Sequence, residues 1–381
     1  MIKITFVETN CKRNGPIKQT LNIIRHMDRS LFSPTLITIW PEEEGNSMID
    51  EYKALQVPAY CCGLNKVESI FRGKSKVTKL LCQIRPDIVQ GVGMPPYRMT
   101  LGYKDAVHFI TLRNYCYEDY PDQYAKGIGI VMAYMDMQLI RKEMKKGEPF
   151  VTCSESLAKI YKEKEKLSIP FIRNGVDMSK YPKRDIDYKE NIRRKLSLPT
   201  DKMIFLYSGG FIDRKNQKEA IEGFINMKKR FQSVLVLLGD GKDRSELEST
   251  YASNNDIFFM GKVDNVKDYL HASDIYLSTS KSEGLPNGVL EAMACGIPII
   301  LSDISQHAEI LDAGECFGYK YRLGDVNQLS DLMDRMSDLD LYQMGENSYN
   351  VLLNNFTAEG MSKQYQDLYK KLINKRYEKS M

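Results

Sequence analysis

The chain has 381 residues and a mass of 43.9 kDa, which exceeds the usual size of one domain and favours two. Its composition, 43% hydrophobic and 27% charged, is ordinary for a globular protein, and no stretch has the roughly 18 consecutive apolar residues of a membrane span. A net charge of +4 is too small to indicate nucleic-acid binding. Secretion is not expected, because the strand-like start lacks the features of a signal peptide.

Short apolar runs in the first part of the chain predict buried strands separated by helices. Residues 16–27 are predicted to be a helix, because Ile17, Leu21 and Ile24 share one face and Pro16 suits a first turn. This alternation is typical of parallel sheets covered by helices. The predicted strands are residues 2–7, 35–40, 87–90, 107–112 and 150–153.

A second series of strands follows a polar, proline-closed stretch at residues 181–199. Its strands are predicted at residues 204–207, 234–238, 257–260, 275–277 and 298–301. We therefore predict two doubly wound α/β domains, at residues 1–170 and 171–356. Residues 357–381 are predicted to be a C-terminal helix that either ends the second domain or packs back on the first.

The strongest candidate site is the segment 282–298, which predicts a strand end, a loop with Gly and Pro, and a helix. Asn287 suits the helix N-cap, and the amides of residues 288–290 would be free to stabilise an anion. Glu283 precedes this end and Glu291 lies about one turn inside it, so two carboxylates bracket a phosphate-sized site. The alternative is an ordinary strand-loop-helix unit with two surface glutamates.

A second candidate turn follows the strand at residues 204–207. Arg214 and Lys215 lie at the mouth of this turn, where two cations suit a diphosphate. Asn216 and Glu219 form a predicted capping box for the next helix. The alternative is a basic pair on a solvated loop. A further glycine turn at residues 238–241 is a weak signal alone.

Together these turns resemble family 4 of the retaining glycosyltransferases, which have the GT-B fold. The segments that carry the resemblance are residues 173–177, 209–216 and 239–241 and the Glu283-x7-Glu291 segment. The resemblance is strong over residues 170–310 and holds only in outline before them. It implies two Rossmann-like domains that face each other across a catalytic cleft. The C-terminal domain would bind a nucleotide-sugar donor and the N-terminal domain an acceptor.

The resemblance also implies a role for individual residues. Arg214 and Lys215 would hold the diphosphate, Glu283 would face the donor sugar, and Glu291 would hold the ribose. Glu283, Lys215 and Arg214 are the implied catalytic residues. The side chains of Lys215, Glu283 and Glu291 are expected to line an open cleft. The implied donor-binding residues are Gly15, Gly209, Gly210, Arg214, Lys215, Gly239, Gly261, Val263, Glu283, Gly284, Leu285, Pro286, Asn287, Gly288, Val289 and Glu291.

The N-terminal half departs from the family pattern at two places. Members often have two glycines after the first strand, and only Gly15 fits here. Many have a histidine after the strand at residues 107–112, where this chain has Arg113 and Asn114, which are weak candidates for sugar or acceptor contacts. His108 lies inside that strand, so we expect it to be a packed core histidine.

No metal or other cofactor is expected, and the nucleotide-diphosphate sugar is a co-substrate. Metal-dependent transferases of another class carry an Asp-x-Asp at a strand end. Here such triplets occur at residues 185–187, in the polar connector, and at residues 338–340, in a predicted helical stretch. Neither follows an apolar strand, and Arg214 and Lys215 could neutralise the leaving diphosphate instead.

The resemblance implies a retaining transferase that moves a sugar, favoured as a UDP-sugar, to a hydroxyl of a glycan or lipid-linked glycan. Bacterial-type surface polysaccharide synthesis (capsule, O-antigen or exopolysaccharide) is the expected setting. Two alternatives stay open, because a fold does not fix a function. One is a sugar-nucleotide epimerase on the same fold, and the other is a non-catalytic nucleotide-sugar-binding subunit.

Charge is distributed unevenly along the chain. Residues 1–170 contain 25 lysines and arginines against 19 aspartates and glutamates, with basic clusters at residues 72–76 and 141–146. This excess would favour an acidic acceptor or an anionic membrane surface, and ordinary surface scatter is the alternative. We expect a cytoplasmic protein, with peripheral contact at the inner face of the membrane if the acceptor is lipid-linked.

Overall fold

The computed structural model describes residues 1–185 and 187–380, with the backbone alone at residues 123, 377, 379 and 380. Ile186, in the centre of the 185–187 triplet, and Met381, the last residue of the predicted C-terminal helix, lie outside the described residues. The chain divides into two compact units. The first contains Met1–Tyr117, Ile130–Gly175 and the chain from Ala358 onwards; the second contains Glu118–Gly129 and Val176–Thr357.

Each unit contains one six-stranded parallel sheet. The strand order is β3-β2-β1-β4-β5-β6 in the first unit and β12-β11-β10-β7-β8-β9 in the second. The strands are β1 (Ile2–Glu8), β2 (Phe32–Thr38), β3 (Ala59–Cys61), β4 (Ile88–Gly91), β5 (Val107–Leu112), β6 (Phe150–Thr152), β7 (Met203–Ser208), β8 (Ser233–Leu238), β9 (Ile257–Gly261), β10 (Ile275–Ser278), β11 (Ile299–Ser302) and β12 (Gly318–Tyr321).

Helices connect the strands of each sheet, as parallel pairing requires. They are α1 (Gly15–Arg25), α2 (Ile49–Ala54), α3 (Lys66–Ile84), α4 (Met94–Thr100), α5 (Cys116–Gln123), α6 (Lys126–Lys145), α7 (Glu155–Glu165), α8 (Lys189–Lys195), α9 (Gln217–Ile225), α10 (Arg244–Thr250), α11 (Val266–Ala272), α12 (Asn287–Ala294), α13 (Ser305–Leu311), α14 (Val326–Met336), α15 (Leu341–Asn355) and α16 (Ala358–Ser380). None of the described helices has the combination of length and apolar character that a bilayer span requires.

The C-terminal helix α16 completes the core of the first unit. Tyr365 and Tyr369 are fully buried and both meet the ring of Phe109 edge-on. The Tyr369 hydroxyl donates to Oε1 of Gln90 at 2.5 Å, so this helix also satisfies a buried polar group of β4. Because α16 supplies two large aromatic side chains to the core, we expect the first unit to depend on it for stability.

The second unit has a reversal of strand order at its centre. The chain passes from β7 through β8 to β9 on one side, and from β10 through β11 to β12 on the other. The carboxyl ends of β7 and β10 therefore flank a topological switch point, where open α/β sheets bind their ligands. The loops after these two strands are the two segments that the sequence singles out.

The structure corrects several details of the predicted elements. The prediction omitted β3 and β12, which are edge strands of three and four residues. Strand β2 begins before Pro34, although the prediction began after it. Pro34 fits there because β3 pairs with β2 only from Leu36 onwards, so no neighbour on that side needs the missing N–H. The units divide at Gly175 and residues 118–129 belong to the second, whereas the predicted boundary was at residue 170.

Candidate functional site

The glycine turns of the second unit lie side by side at the carboxyl edge of its sheet. The amide of Gly209 donates to the carbonyl of Leu238 at 3.0 Å, and that of Gly239 donates to the carbonyl of Gly261 at 2.7 Å. A Cβ on Gly239 would lie 1.9 Å from the Gly209 carbonyl oxygen, and its φ of +132° also favours glycine. The edge thus presents closely packed backbone around Gly210 rather than side chains.

Helix α12 begins against the end of β7. A Cβ on Gly288 would lie 2.3 Å from Oη of Tyr276 and 3.2 Å from Oγ of Ser208, so only glycine permits this approach. The predicted cap is wrong in one detail. Asn287 is the first helical residue, and the N-cap is Pro286, which has extended backbone and makes no side-chain cap.

The amides at the start of α12 are also less available than the sequence predicts. The amide of Leu290 donates to the carbonyl of Pro286 at 3.3 Å, so it is not free for an anion. The predicted capping box at the start of α9 is likewise wrong. Asn216 has a left-handed backbone with φ of 53°, and its side chain donates to the carboxylate of Glu219 instead of capping the helix.

Three charged side chains meet at the switch point. Nζ of Lys215 lies 2.5 Å from Oε1 of Glu283, and one guanidinium nitrogen of Arg214 lies 3.3 Å from Oε2. The same arginine nitrogen donates to the carbonyl of Ser282 at 2.8 Å, which fixes the loop that carries the glutamate. The side chains of Arg214, Lys215 and Glu283 are 13%, 20% and 7% exposed. The sequence did not predict this ion cluster, because its members come from two loops far apart in the chain.

The two cations keep Glu283 ionised. Burial alone would raise the pKa of this carboxyl, but the charges of Lys215 and Arg214 outweigh burial and lower the pKa to about 2. Burial also acts against the charge on Arg214, yet nearby carboxylates, first Glu283, raise its pKa above the ordinary value. At neutral pH the cluster is therefore one buried anion held by two cations.

A network of hydrogen bonds supports Glu283 from behind. Oγ of Ser280 donates to Oε1 of Glu283 at 2.8 Å, and Oγ of Ser278 lies 3.3 Å from Oγ of Ser280. The fully buried His307 of α13 has Nε2 3.2 Å from Ser278 and Nδ1 3.0 Å from Oγ of Ser302. Burial lowers the pKa of His307 to about 4, so the ring is neutral at pH 7. Sequence reasoning missed these residues, since none of them lies in a recognisable motif.

Two aspartates of α5 also lie near Arg214. A carboxylate oxygen of Asp119 is 3.7 Å from the guanidinium, and one of Asp122 is 4.0 Å from Nε. That Nε is buried and has no hydrogen-bond partner among the described residues. Neither aspartate was predicted, because α5 follows β5 in the first half of the chain.

Glu291 lies about one turn inside α12, as its spacing predicts. It is 7% exposed, like Glu283. The expectation that both glutamates line an open cleft is therefore wrong for both side chains. Gly284, Leu285 and Val289 belong to the loop and first turn between the two carboxylates. Val263 lies two residues beyond the end of β9.

The remaining predicted residues belong to the first unit. Gly15 is the first residue of α1, next to the N-cap Asn14, whose side chain accepts from the amide of Ile17 at 3.1 Å. Arg113 donates to Oδ1 of Asn174 at 2.5 Å, and the carbonyl of Asn114 accepts from the hydroxyl of Tyr161. The structure therefore does not group Gly15, Arg113 and Asn114 with the ion cluster within one unit.

His108 is buried in β5, as expected. Its ring nitrogens lie 3.1 Å from Oγ1 of Thr100 and 2.6 Å from the carbonyl of Tyr103. Burial lowers its pKa. Both ring nitrogens are occupied inside the first unit.

The acidic triplet at residues 338–340 has structural partners. Asp338 pairs with Lys229, and Asp340 caps α15, so this triplet lies in a turn and not in the predicted helix. Residues 185 and 187 flank Ile186 in the connector. Over residues 1–185 and 187–380, no group of three or more His, Cys, Asp or Glu side chains is arranged to hold a metal ion.

Comparison with known proteins finds similarity to glycosyltransferases. Residues 188–351 match the family described as "Glycosyl transferases group 1". The N-acetyl-alpha-D-glucosaminyl L-malate synthase of Bacillus anthracis is 26% identical over 238 residues, which are 61% of this chain and 61% of that protein. The UDP-Gal:alpha-D-GlcNAc-diphosphoundecaprenol alpha-1,3-galactosyltransferase of Escherichia coli is 25% identical over 94% of this chain and 87% of its own length.

Solved structures show the same architecture. The Anabaena protein Alr3699/HepE, in complex with UDP-glucose, superposes with a TM-score of 0.81 at 15% identity, covering 97% of this chain and all of that one. The predicted fold class, GT-B with two Rossmann-like doubly wound α/β domains, is confirmed. The matches support a glycosyltransferase of the superfamily that includes group 1.

Proposed function

We propose that this chain is a retaining glycosyltransferase that transfers a sugar from a UDP-sugar to a hydroxyl of a glycan or lipid-linked glycan. One observation carries the proposal: two cations and a buried carboxylate converge at the switch point of the second sheet. The relatives support the choice of donor and setting. The Escherichia coli relative is named for UDP-Gal and a diphosphoundecaprenol acceptor, and the Anabaena structure contains UDP-glucose. We infer a role in bacterial-type surface polysaccharide synthesis, such as capsule, O-antigen or exopolysaccharide.

The proposed chemistry centres on the departing diphosphate. As the bond to the sugar breaks, negative charge builds on the leaving group, and fixed cations stabilise that charge more in the transition state than in the ground state. Arg214 would act as a planar fork and Lys215 as a point charge. With these cations in place we propose that the reaction needs no metal. Retention of the anomeric configuration is inferred from the resemblance to family 4. A front-face attack suits a site that has no obvious covalent nucleophile.

The ion cluster refines the role of Glu283. Its carboxylate holds Lys215 and Arg214 in position before a donor arrives, so a bound diphosphate would share cations that are already ordered. The same carboxylate would face the donor sugar. The backbone of Gly209 and Gly210 and of residues 284–289 would surround the sugar and diphosphate, because these turns leave room for close approach.

The nucleoside would lie farther along the same edge of the sheet. We propose that Glu291 holds the ribose and that the backbone from Gly261 to Val263 meets the base, beside Gly239. From the first unit, Gly15 would contact the donor phosphates, and Arg113 and Asn114 would contact sugar or acceptor.

A turnover assay separates the proposed transferase from its alternatives. The chain is incubated with a panel of UDP-sugars, with and without glycan and lipid-linked glycan acceptors, and release of UDP and conversion of the sugar are both measured. UDP release that requires an acceptor supports transfer. Conversion of the donor sugar without an acceptor identifies an epimerase. Donor binding without turnover across the panel identifies a binding subunit.

A binding experiment tests the nucleotide site itself. Glu291→Ala is expected to raise the Kd for UDP roughly tenfold or more, because a hydrogen bond to a charged group contributes about 1.5–3 kcal/mol. Isothermal titration with UDP measures this change. Glu246→Ala, at an exposed position of α10 in the same unit, is the matched control and should leave the Kd unchanged. Equal losses in both variants would contradict the ribose assignment.

A further inference from the structure

Helix α3 exposes three large apolar side chains in its first two turns. Val67, Ile70 and Phe71 are 66%, 75% and 80% exposed. Their spacing of three and four residues places them on one stripe of the helix, and Lys74 continues that stripe. Farther along, Val77 is fully buried. The core of the first unit thus covers the later part of α3 and leaves its beginning in solvent.

Helix α6 has a second exposed apolar stripe. Val131, Tyr134 and Met135 are 59%, 56% and 55% exposed and share one face. The opposite face is buried through Ala133 and Met137. This helix is therefore apolar on both sides, although only one side packs against its own unit.

The two stripes belong to helices on the same face of the first sheet. Right-handed crossovers place α3, α4 and α6 on one face and α1 and α2 on the other. Helix α4 contacts both of its neighbours. A Cβ on Gly73 of α3 would lie 2.6 Å from Sδ of Met99, and Arg98 forms an ion pair with Asp136 of α6.

The charge around these stripes is strongly positive. Helix α3 contains five basic residues against one acidic residue, Glu68. In α6 the two acidic side chains are buried and paired, Asp136 with Arg98 and Glu143 with Lys146. Two copies of this surface would repel each other, whereas apolar side chains among lysines suit the interface of an anionic bilayer.

We propose that the α3–α6 surface, defined as Val67, Ile70, Phe71, Val131, Tyr134 and Met135, docks on an anionic lipid bilayer. The apolar side chains enter the headgroup region, and the lysines of α3 lie against lipid phosphates, with their alkyl stems along the apolar stripe. This proposal identifies which side of the first unit meets the membrane. The basic clusters in the sequence alone did not identify that side. It involves no nucleotide-site residue, so its failure would leave the proposed function standing.

Co-sedimentation with vesicles tests the docking surface. Vesicles of phosphatidylcholine alone and of phosphatidylcholine with phosphatidylglycerol are compared at low and high salt. We expect binding to the anionic vesicles only, weakened by salt. The double variant Ile70→Gln/Phe71→Gln should bind the anionic vesicles at least roughly tenfold more weakly than the parent, because the apolar burial is lost while the net charge is kept. Phe231→Gln, at a 70% exposed position of the second unit, is the matched control and should bind like the parent.

The sole tryptophan of the sequence supplies a local reporter. Nε1 of the half-buried Trp40 donates to Oγ of Ser69 at 3.2 Å, and Nζ of Lys66 lies 5.6 Å from its ring centroid. Its emission should change when anionic vesicles are added to the parent and should stay constant in the double variant. Far-UV circular dichroism and an unchanged Kd for UDP confirm that the double variant is folded.

Several outcomes would overturn this proposal. These are no vesicle binding by the parent, equal binding to neutral vesicles, binding that survives the double variant, or an equal loss in Phe231→Gln. A parent that sediments as a dimer and becomes monomeric in the double variant would assign the surface to a second copy instead.

Discussion

Each unit contains a buried glutamate, and the pKa values of the two carboxyls are shifted in opposite directions. Glu283 follows β10 and contacts two cations, which lower its pKa to about 2. Glu8 ends β1 and contacts the Tyr52 hydroxyl at 2.8 Å and the Cys11 thiol at 3.7 Å. Burial raises the pKa of Glu8 to about 8, and the negative charge of Glu42 adds to this increase. The same side chain is thus ionised in one unit and protonated in the other at neutral pH.

The difference shows how each unit accommodates a buried carboxyl group. The first unit accommodates a buried carboxyl by neutralising it, so Glu8 serves as a packed, hydrogen-bonded polar group. The second unit keeps its carboxyl charged by positioning Arg214 and Lys215 against it, and those cations can also meet an anionic ligand. Buried cations, more than buried carboxylates, therefore distinguish the unit proposed to bind a diphosphate.

The largest expected effect comes from removing the charge at Glu283. Glu283→Gln should lower the free energy of unfolding by about 3–5 kcal/mol, because it leaves two partly buried cations without their shared anion. UDP should restore part of the loss, since its diphosphate supplies the missing negative charge. The shift in Tm on adding UDP should thus be larger in this variant than in the parent.

Glu8→Gln is the matched control for that experiment. It replaces a buried glutamate that is already neutral in the folded chain at pH 7, so it should not lower the Tm, and its response to UDP should resemble that of the parent. If both variants lose the same stability, or if UDP shifts the Tm of Glu283→Gln less than that of the parent, the proposed exchange of anions is wrong.

The next effect is on the rate of transfer. Lys215→Met keeps the length of the side chain and removes its charge, so it should slow transfer by roughly 10²–10³, or about 2.7–4 kcal/mol of transition-state stabilisation. Single-turnover assays with a saturating donor measure this rate. Lys218→Met, at a 65% exposed lysine of α9, should transfer like the parent. An unchanged rate in Lys215→Met would remove Lys215 from the chemistry.

A smaller effect is expected in the pH dependence of stability. The folded chain holds a proton on Glu8 that the unfolded chain releases above its ordinary pKa of about 4.3, so stability should fall as the pH rises from there to about 8. The slope from one such group is at most about 1.4 kcal/mol per pH unit. Glu8→Gln should remove this decline, measured by urea unfolding at a series of pH values.

Glu283 should affect the pH dependence of stability in the opposite direction. Its pKa is lower in the folded chain, so the stability it contributes is present above the ordinary pKa and is lost as the pH falls towards 2. The acid limb of the same urea series should therefore flatten in Glu283→Gln and stay unchanged in Glu8→Gln. Identical profiles for the two variants would show that the two carboxyls do not differ as described.

The smallest expected effect is that of a chelator. Transfer should survive EDTA, because Arg214 and Lys215 are proposed to supply the positive charge at the diphosphate. The matched measurement is the Lys215→Met variant with added Mg²⁺ or Mn²⁺, which should not recover the parent rate. Loss of parent activity in EDTA and its return with Mg²⁺ would contradict the metal-free mechanism.

The sequence was enough to predict the central strands of each sheet, but it did not predict the edge strands β3 and β12. Strands such as β5 and β8 are buried on both faces and form continuous apolar runs, so their pattern is clear. Strand β3 is exposed throughout, and β12 reads Gly-Tyr-Lys-Tyr, so neither has an apolar run to detect. The reassignment of residues 118–129 depends on tertiary packing, which local patterns do not contain.

The candidate site divides in the same way. Glycine turns, the basic pair and the spacing of the two glutamates are local features, and the sequence displays them directly. The pairing of Lys215 with Glu283 and the support from His307 require segments that follow three strands, β7, β10 and β11, to meet at one edge. The depth of burial of both glutamates was also beyond local patterns, because neighbouring elements and not the motif itself cover them.

The position of α16 has a consequence for the order in which the chain folds during synthesis. The second unit is nearly continuous in sequence, so all its strands have been made before α16 is translated. The strands of the first unit are synthesised early, but this unit lacks Tyr365 and Tyr369 until α16 leaves the ribosome. Its uncovered apolar face, including Phe109, must wait while the whole second unit is synthesised. A ribosome stalled before residue 358 should therefore carry a folded second unit beside a protease-sensitive first one.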